Sequence, residues 1–390
     1  MKRIGIVLPN VPRYSETFFV NKIQGLCSEG YIVTLFANDK MYNNVYKVVA
    51  PFSVAHCRLW QTLKTCCVLL YVWVRCPGIT FRFLSLERKD GISWFNRLRT
   101  LYINAHILPC HLDWIHFGYA TMGVGRENVA KAMGAKAAVS FRGYDVSTYP
   151  LTHQGCYKRL WTKINQIHTI SEALLDEAYL LGLPKEVPVV KITPAIDWKR
   201  FSADIIVPLS LSPIRIVTVG RLEWKKGYEY ALQTMALLKQ QGVSFTYTIM
   251  GDGADKERLV FAAYQWGISD RVNFLGSQPQ EKVAAVLRES ALYIQPSVQE
   301  GFCNAVLEAQ AMGLLCVVTD AEGLSENVIN GKSGFVVPKR SPQAMADIIV
   351  EITQMTDEAR QQIRTFAVER VRKEFNLEDQ QRKWAAFYEV

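Results

Sequence analysis

The sequence predicts an α/β protein of two doubly wound, Rossmann-like domains in tandem, facing each other across a cleft. Three observations carry this. Short, continuous apolar runs bounded by turn residues recur along the chain, as strands buried on both faces of a parallel sheet require. Segments of helical spacing lie between them, so strand and helix alternate throughout. The alternation breaks once, in the uncharged Ser- and Pro-rich stretch 206–213 (IVPLSLSP), and then restarts.

In the first half, Ile4–Leu8 reads as a strand stopped by Pro9, followed by helical spacing over Ser15–Glu29 and a second strand, Ile32–Phe36. Trp114–Phe117 and Ala137–Phe141 are further strands with a helix from about Gly125 to Met133 between them. Ser171 can cap a helix running to Leu181, which Gly182 and Pro184 end, and Val187–Ile192 closes the half as a strand. After the linker come strand Ile214–Val219, helix Gly227–Gln241, strand Phe245–Met250, helix Asp255–Trp266, strand Val272–Leu275 and helix Gln280–Glu289. Strand Leu292–Gln295, helix Asn304–Met312, strands Cys316–Thr319 and Phe335–Val337, and two helices after Ser341 complete the pattern.

Length and composition agree with this reading. The 390 residues are 49% apolar and 21% charged, which excludes disordered, collagen-like and disulfide-scaffold chains. At roughly 100–200 residues per domain the length fits two. No apolar run reaches the ~18 residues of a membrane-spanning helix. The start, MKRIGIVLPN, meets turn residues too soon for a signal peptide. Nine cysteines without paired-ligand spacing suggest buried thiols in a reducing compartment, hence a cytoplasmic protein.

Charge is uneven. Residues 1–200 hold 25 Lys and Arg against 13 Asp and Glu, a net of +12, while the remainder carries 20 against 23. The basic half therefore faces an anionic partner: a phosphorylated acceptor or anionic lipid. Nucleic acid is excluded as a partner because zinc-finger, RNA-binding aromatic and recognition-helix patterns are missing. Within that half, Arg58–Arg75 (RLWQTLKTCCVLLYVWVR) mixes Trp60, Leu63, Leu70 and Trp73 with Arg58, Lys64 and Arg75. Two readings stay open: a helix lying in a lipid headgroup layer, at the inner face of the cytoplasmic membrane, or a core helix followed by a solvated basic connection.

The chemistry gathers at strand ends of the second half, where ligands of open parallel sheets bind. In Gly220–Gly227 (GRLEWKKG), Arg221 and Lys226 can converge on an anion near a helix N-terminus, a suitable pair for a pyrophosphate. In Glu300–Glu308 (EGFCNAVLE), one carboxylate ends a strand and a second lies about one turn into the helix, on its cleft face if Val306 and Leu307 point inward. Two such carboxylates suit hydroxyl recognition on a sugar and a ribose. Gly251 in Met250–Gly253, and Leu275 and Gly276 ahead of Ser277, mark turns where a flat base could approach the backbone.

GRLEWKKG, IMGDG, VNFLG, EGFCNAVLE and GLSENVINGKSGFVVP occur in that order between Ile214 and Pro338, with seven residues between Glu300 and Glu308. The stretch resembles family-4 retaining glycosyltransferases of the GT-B fold. With SETFF, IHFGYATMG and FRGYDV in the first half, it is similar to bacterial exopolysaccharide and lipopolysaccharide transferases in particular. The resemblance implies a first domain over residues 1–205 that binds the acceptor, a saccharide or lipid-linked saccharide, and a second over 214–375 that binds a nucleotide-sugar donor. The last helix, about 376–390, would cross back onto the first, and the domains would close by a hinge near the linker. Arg221 and Lys226 would hold the diphosphate, with Gly220 and Gly251 at their loops. Glu300 would contact the donor sugar and Glu308 the ribose. The amides of Gly301, Phe302, Cys303, Asn304 and Ala305 would lie near the phosphates and sugar, Cys303 acting through its amide and not its thiol. Base contacts would come from Leu275, Gly276 and Gln278. Arg221, Lys226 and Glu300 would be catalytic. Such enzymes use no metal or other cofactor, and no Asp-x-Asp pair occurs here.

One departure from the relatives' pattern bears on the acceptor side. Where many carry His before the Gly-x-Asp of the first domain, this chain has Arg142-Gly143-Tyr144-Asp145, and Arg cannot act as a base. His116, in WIHF, is the substitute, or else a satisfied, half-buried histidine. Glu16 in SETFF could touch the acceptor or simply sit in a first helical turn. The non-enzymatic alternative is a nucleotide-sugar-binding or scaffolding subunit of a polysaccharide assembly complex.

Overall fold

The computed structural model describes residues 1–12, 17–39, 45–54, 57–198, 200–202 and 212–389. The chain divides into two units, Met1–Ile192 together with Gln381–Val390, and Thr193–Gln380. Glu16 and residues 206–211 of the expected linker lie outside the described residues.

In the first unit, described strands β1 (Arg3–Val7), β2 (Ile32–Phe36), β3 (Lys47–Val49), β4 (Trp114–Phe117), β5 (Lys136–Phe141), β6 (Gln166–Thr169) and β7 (Val189–Lys191) form one parallel sheet, ordered β3-β2-β1-β4-β5-β6-β7. Ile4, Ile6, Val7, Ile115, Phe117, Val139 and Phe141 are buried whichever way they alternate, because helices cover both faces. The strands β3 and β6 were not evident in the apolar pattern. β3 has three residues, and three of the four residues of β6 are polar: Gln166, His168 and Thr169 are buried there, His168 bonding Ser140 Oγ at 2.8 Å and the Ile192 carbonyl at 3.0 Å.

Between β3 and β4 stand three helices packed on one another, Arg58–Arg75, Pro77–Lys89 and Trp94–Asn104. Arg82, Arg88, Lys89, Arg97 and Arg99, which one of the two sequence readings puts in a basic connection, lie on two helices. Glu87 and Asp90 fix this layer from beneath: Glu87 accepts from Asn128 at 2.8 Å and Arg159 at 3.1 Å, and Asp90 from Asn128 at 2.7 Å and Lys163 at 2.9 Å. Ser171 caps its helix as expected, its Oγ accepting from the Leu174 N–H at 3.4 Å.

In the second unit, β8 (Ile214–Val219), β9 (Phe245–Met250), β10 (Val272–Gly276), β11 (Leu292–Gln295), β12 (Leu315–Thr319) and β13 (Phe335–Val337) are also parallel, ordered β10-β9-β8-β11-β12-β13. Helix Tyr228–Gln240 buries Ala231, Leu232, Met235 and Leu238, a stripe of helical period, and packs beside helix Pro342–Gln354. Because β9 and β10 extend to one side of β8 and β11–β13 to the other, strand order reverses between β8 and β11. That is the position at which ligands approach an open parallel sheet.

Three helices, not two, follow Ser341: Pro342–Gln354, Asp357–Glu374 and Leu377–Phe387. The break at Phe375–Asn376 arises because the Asn376 side chain accepts the Asp379 N–H at 2.8 Å and starts a new helix. Beyond Gln380 the chain belongs to the first unit. There Trp384 lies 4.4 Å from the His168 ring, between centroids, and Tyr388 5.6 Å from Trp114.

Candidate active site

The site is built from backbone first. The loops at the carboxyl ends of β8, β9 and β10 are tied side by side: the Gly220 N–H donates to the Met250 carbonyl at 2.9 Å and the Gly251 N–H to the Gly276 carbonyl at 2.8 Å. Only glycine fits at 251. Its φ is +149°, and a Cβ there would stand 1.9 Å from the Gly220 carbonyl oxygen. Gly227 plays the same part toward β11, with φ +66° and a would-be Cβ 2.0 Å from the Pro296 carbonyl. The Val298 N–H donates to the Lys225 carbonyl at 2.8 Å, so the β8 loop is laced to the loop after β11.

This lacing brings Lys226 and Glu300 together as an ion pair, each side chain nearly enclosed at 12% and 15% exposure. Burial disfavours the Lys226 ammonium, but the Glu300 carboxylate outweighs it and the pKa is raised; the Arg221 charge opposes weakly. Arg221 stands apart, two-thirds exposed and paired with Glu223 at 2.9 Å, so its guanidinium is the solvent-exposed member of the pair the sequence singles out. Gly220 lies between the two loops, its carbonyl accepting from Tyr228 OH at 2.8 Å.

After β11 the chain turns through Gly301–Cys303 into helix Asn304–Ala311. Among the described residues, no acceptor takes the N–H of buried Gly301 or Phe302. Cys303 corrects the expectation for it: its N–H donates to Asn327 Oδ1 at 2.9 Å, and Asn327 Nδ2 returns a bond to the Cys303 carbonyl at 3.0 Å. The amide expected to serve a ligand is engaged within the protein. Its thiol is buried against Gln295 Oε1 at 3.5 Å, with a pKa pushed up to about 11 by burial, so it stays protonated. Asn304 and Ala305 open the helix and are half-buried. Glu322, which the sequence reading did not single out, fixes the turn by accepting the Glu300 N–H at 2.7 Å.

Glu308 is half-buried one turn into this helix. No hydrogen bond or ion pair among the described residues engages its carboxyl, and burial raises its pKa to about 7. A carboxyl held in a desolvated place without a protein partner is suited to take ligand hydroxyls. Leu275 is exposed at the end of β10, and Gln278 Nε2 donates to its carbonyl at 2.5 Å.

The first-unit candidates are placed differently. His116 is fully buried, its Nε2 2.7 Å from Ser140 Oγ and its Nδ1 2.6 Å from Tyr388 OH, with Lys22 Nζ 3.2 Å from both ring nitrogens. Burial, then the Lys22 and His168 charges, hold its pKa well below the usual value. This geometry gives His116 a packing role rather than contact with an acceptor. Asp145 is also buried. Its carboxylate accepts from the Ala120, Arg142 and Gly143 N–H groups, each at 3.0 Å, and shapes the loop after β5; burial raises its pKa against those bonds. The Arg142 guanidinium lies 3.9 Å from the Phe18 ring centroid.

Comparison with known proteins adds to this geometry. Residues 205–370 match the family described as glycosyl transferases group 1. Over 365 residues the chain is 30% identical to the amylovoran biosynthesis glycosyltransferase AmsK of Erwinia amylovora, covering 88% of each. It is 28% identical, over 100% of each chain, to WcaL of Escherichia coli, named for colanic acid biosynthesis. Among solved structures, Anabaena HepE in complex with UDP covers 99% of both chains with a TM-score of 0.73 at 14% identity, a likeness of fold.

Proposed function

The chain belongs to the group 1 glycosyl transferases and is an enzyme of that kind in polysaccharide biosynthesis, and from this premise we propose that it carries a sugar from a nucleoside diphosphate sugar to a saccharide or lipid-linked saccharide with retention at the anomeric carbon. The observation that supports the donor site is the enclosed Lys226–Glu300 pair at the β8/β11 strand reversal, beside the unengaged Gly301 and Phe302 amides.

In this reading the donor lies across the strand ends of the second unit, and the basic first unit takes the acceptor. Arg221 and Lys226 receive the diphosphate, the Gly301 and Phe302 amides face its oxygens or those of the sugar, and Glu300 orients Lys226 while accepting a sugar hydroxyl. Glu308 takes the ribose hydroxyls, and Leu275, Gly276 and Gln278 border the base. The acceptor oxygen attacks the anomeric carbon on the face from which the diphosphate departs. The carbon–phosphate oxygen bond breaks, the glycosidic bond forms, and the acceptor proton passes to a departing phosphate oxygen. Charge grows on that phosphate, where the enclosed Lys226 and the exposed Arg221 do the work a divalent metal does elsewhere, so no metal is needed.

A thermal-shift screen with UDP, GDP, ADP, TDP and CMP tests the site. One nucleotide should raise Tm, and Arg221→Ala, whose side chain is exposed, should abolish that shift while leaving the unliganded Tm nearly unchanged. No shift with any nucleotide overturns the donor-site assignment. Slow hydrolysis of the matching nucleotide sugar, lost in Glu300→Gln, distinguishes an enzyme from a binding subunit.

A further inference from the structure

We propose that helix Arg58–Arg75 is a membrane-docking surface that lies in the plane of an anionic bilayer. At about 100° per residue, Leu59, Leu63, Leu70, Trp73 and Val74 fall on one face, opposite Val68 and Val72, which are the buried residues of this helix. The apolar face is the one turned to solvent: Leu63 is 52% exposed, Leu70 66% and Val74 76%. A soluble helix normally presents the reverse arrangement. Trp60, at the edge of the face, is 67% exposed, and Phe81, Trp94 and Phe95 protrude from the two helices packed beside it.

The charge around this face selects the partner. Between residues 58 and 99 there are eight Lys and Arg and two acids. Both acids, Glu87 and Asp90, are already held by Arg159, and Asp90 also by Lys163. What this layer offers to solvent is an apolar helix face in a segment with a large excess of cations; on the same wheel Arg58 lies beside that face, and Lys64 and Arg75 fall toward the Val68 side. An exposed apolar stripe with Trp at its margin, in a segment carrying eight cations, matches the headgroup boundary of an anionic leaflet. Among the described residues no single helix is long and apolar enough to cross a membrane, and the anchored Val68–Val72 side keeps this one attached to the protein. With that side anchored, docking in the plane lays the exposed face on the leaflet. It goes beyond the transfer reaction and does not depend on the donor assignment.

The test is co-sedimentation of the full chain with vesicles of phosphatidylcholine alone or with about 30 mol % phosphatidylglycerol, at low and high salt. Binding is expected to the anionic vesicles, weakened by salt. Leu70→Asp with Val74→Asp, both at exposed positions, should weaken it roughly tenfold or more while leaving the melting temperature in place. Equal, negligible binding to both vesicles overturns the proposal. So does unchanged binding by the double variant, or a dimer in solution that the double variant splits while vesicles bind neither form, which would assign the face to a second copy.

Discussion

Lys226 and Glu300 neutralise each other across the reversal point of the second sheet, and each depends on the other for being enclosed. Removing one member of such a pair leaves a desolvated charge, at a cost of about 3 kcal/mol or more. Lys226→Met and Glu300→Gln should each lower the urea midpoint, whereas the double variant recovers most of the loss. Turnover behaves differently: all three variants should fall by about 10²-fold or more. Paired urea melts and donor hydrolysis read the two effects separately. Recovery of turnover along with stability would show that the pair is structural only.

Glu308 yields a prediction in pH. Its folded pKa of about 7 lies above the ordinary carboxyl value of 4.5, so the folded protein holds this proton more tightly than the unfolded chain. The resulting penalty is absent below about pH 4.5 and complete above about 7, where it reaches about 3 kcal/mol. Glu308→Gln should therefore melt higher than the parent at about pH 8 and no higher at about pH 4.5. A gap independent of pH would contradict the desolvated carboxyl. Nucleotide affinity should drop in the same variant.

Two glycines at neighbouring strand ends should respond unequally to alanine. Both have positive φ, but a Cβ at Gly251 meets the Gly220 carbonyl at 1.9 Å, whereas one at Gly276 meets nothing within 4 Å. Gly276→Ala should cost only the backbone penalty, about 1 kcal/mol. Gly251→Ala must push the β8 and β9 loops apart and should cost several times as much, visible as reduced soluble yield or a much lower Tm.

Lys22 is fully buried, with no acidic partner among the described residues, its Nζ 3.6 Å from the Trp384 ring centroid and beside His116. Burial, with the Arg142 charge, holds its pKa well below 10.5. The unfolded chain gains this proton as pH falls below about 10.5 and the folded one does not, so stability is lost toward neutrality. Lys22→Met should then raise the urea midpoint at about pH 7, with the gain shrinking toward pH 10. A destabilised variant would mean that the hydrogen bonds to His116 outweigh the desolvation.

How far the sequence could be read depended on where the controlling partner sits along the chain. β1, β8, β9 and β11 are dominated by apolar and β-branched residues, and the loops that follow β8 and β11 carry their charges within a few residues, so fold class and the second-unit strand ends were legible. β6 was not, because Gln166 and His168 look like loop residues until Ser140 and Ile192 arrive to bond them. Cys303 was misread because Asn327, which takes its amide, comes 24 residues later. The surroundings of His116 are set by Lys22 and Tyr388, one from an early helix and the other 272 residues on, with no local signal for either.

The packing of Trp384, Phe387 and Tyr388 against Trp114, His116 and His168 has a consequence for biogenesis. A ribosome emits the seven strands of the first sheet long before it emits the residues that seal one face of it. Throughout synthesis of the second unit, the first is therefore an open half-core with His116 and His168 uncovered, while the second holds all its own strands and can complete itself. Maturation runs against the direction of translation: the unit made first is finished last.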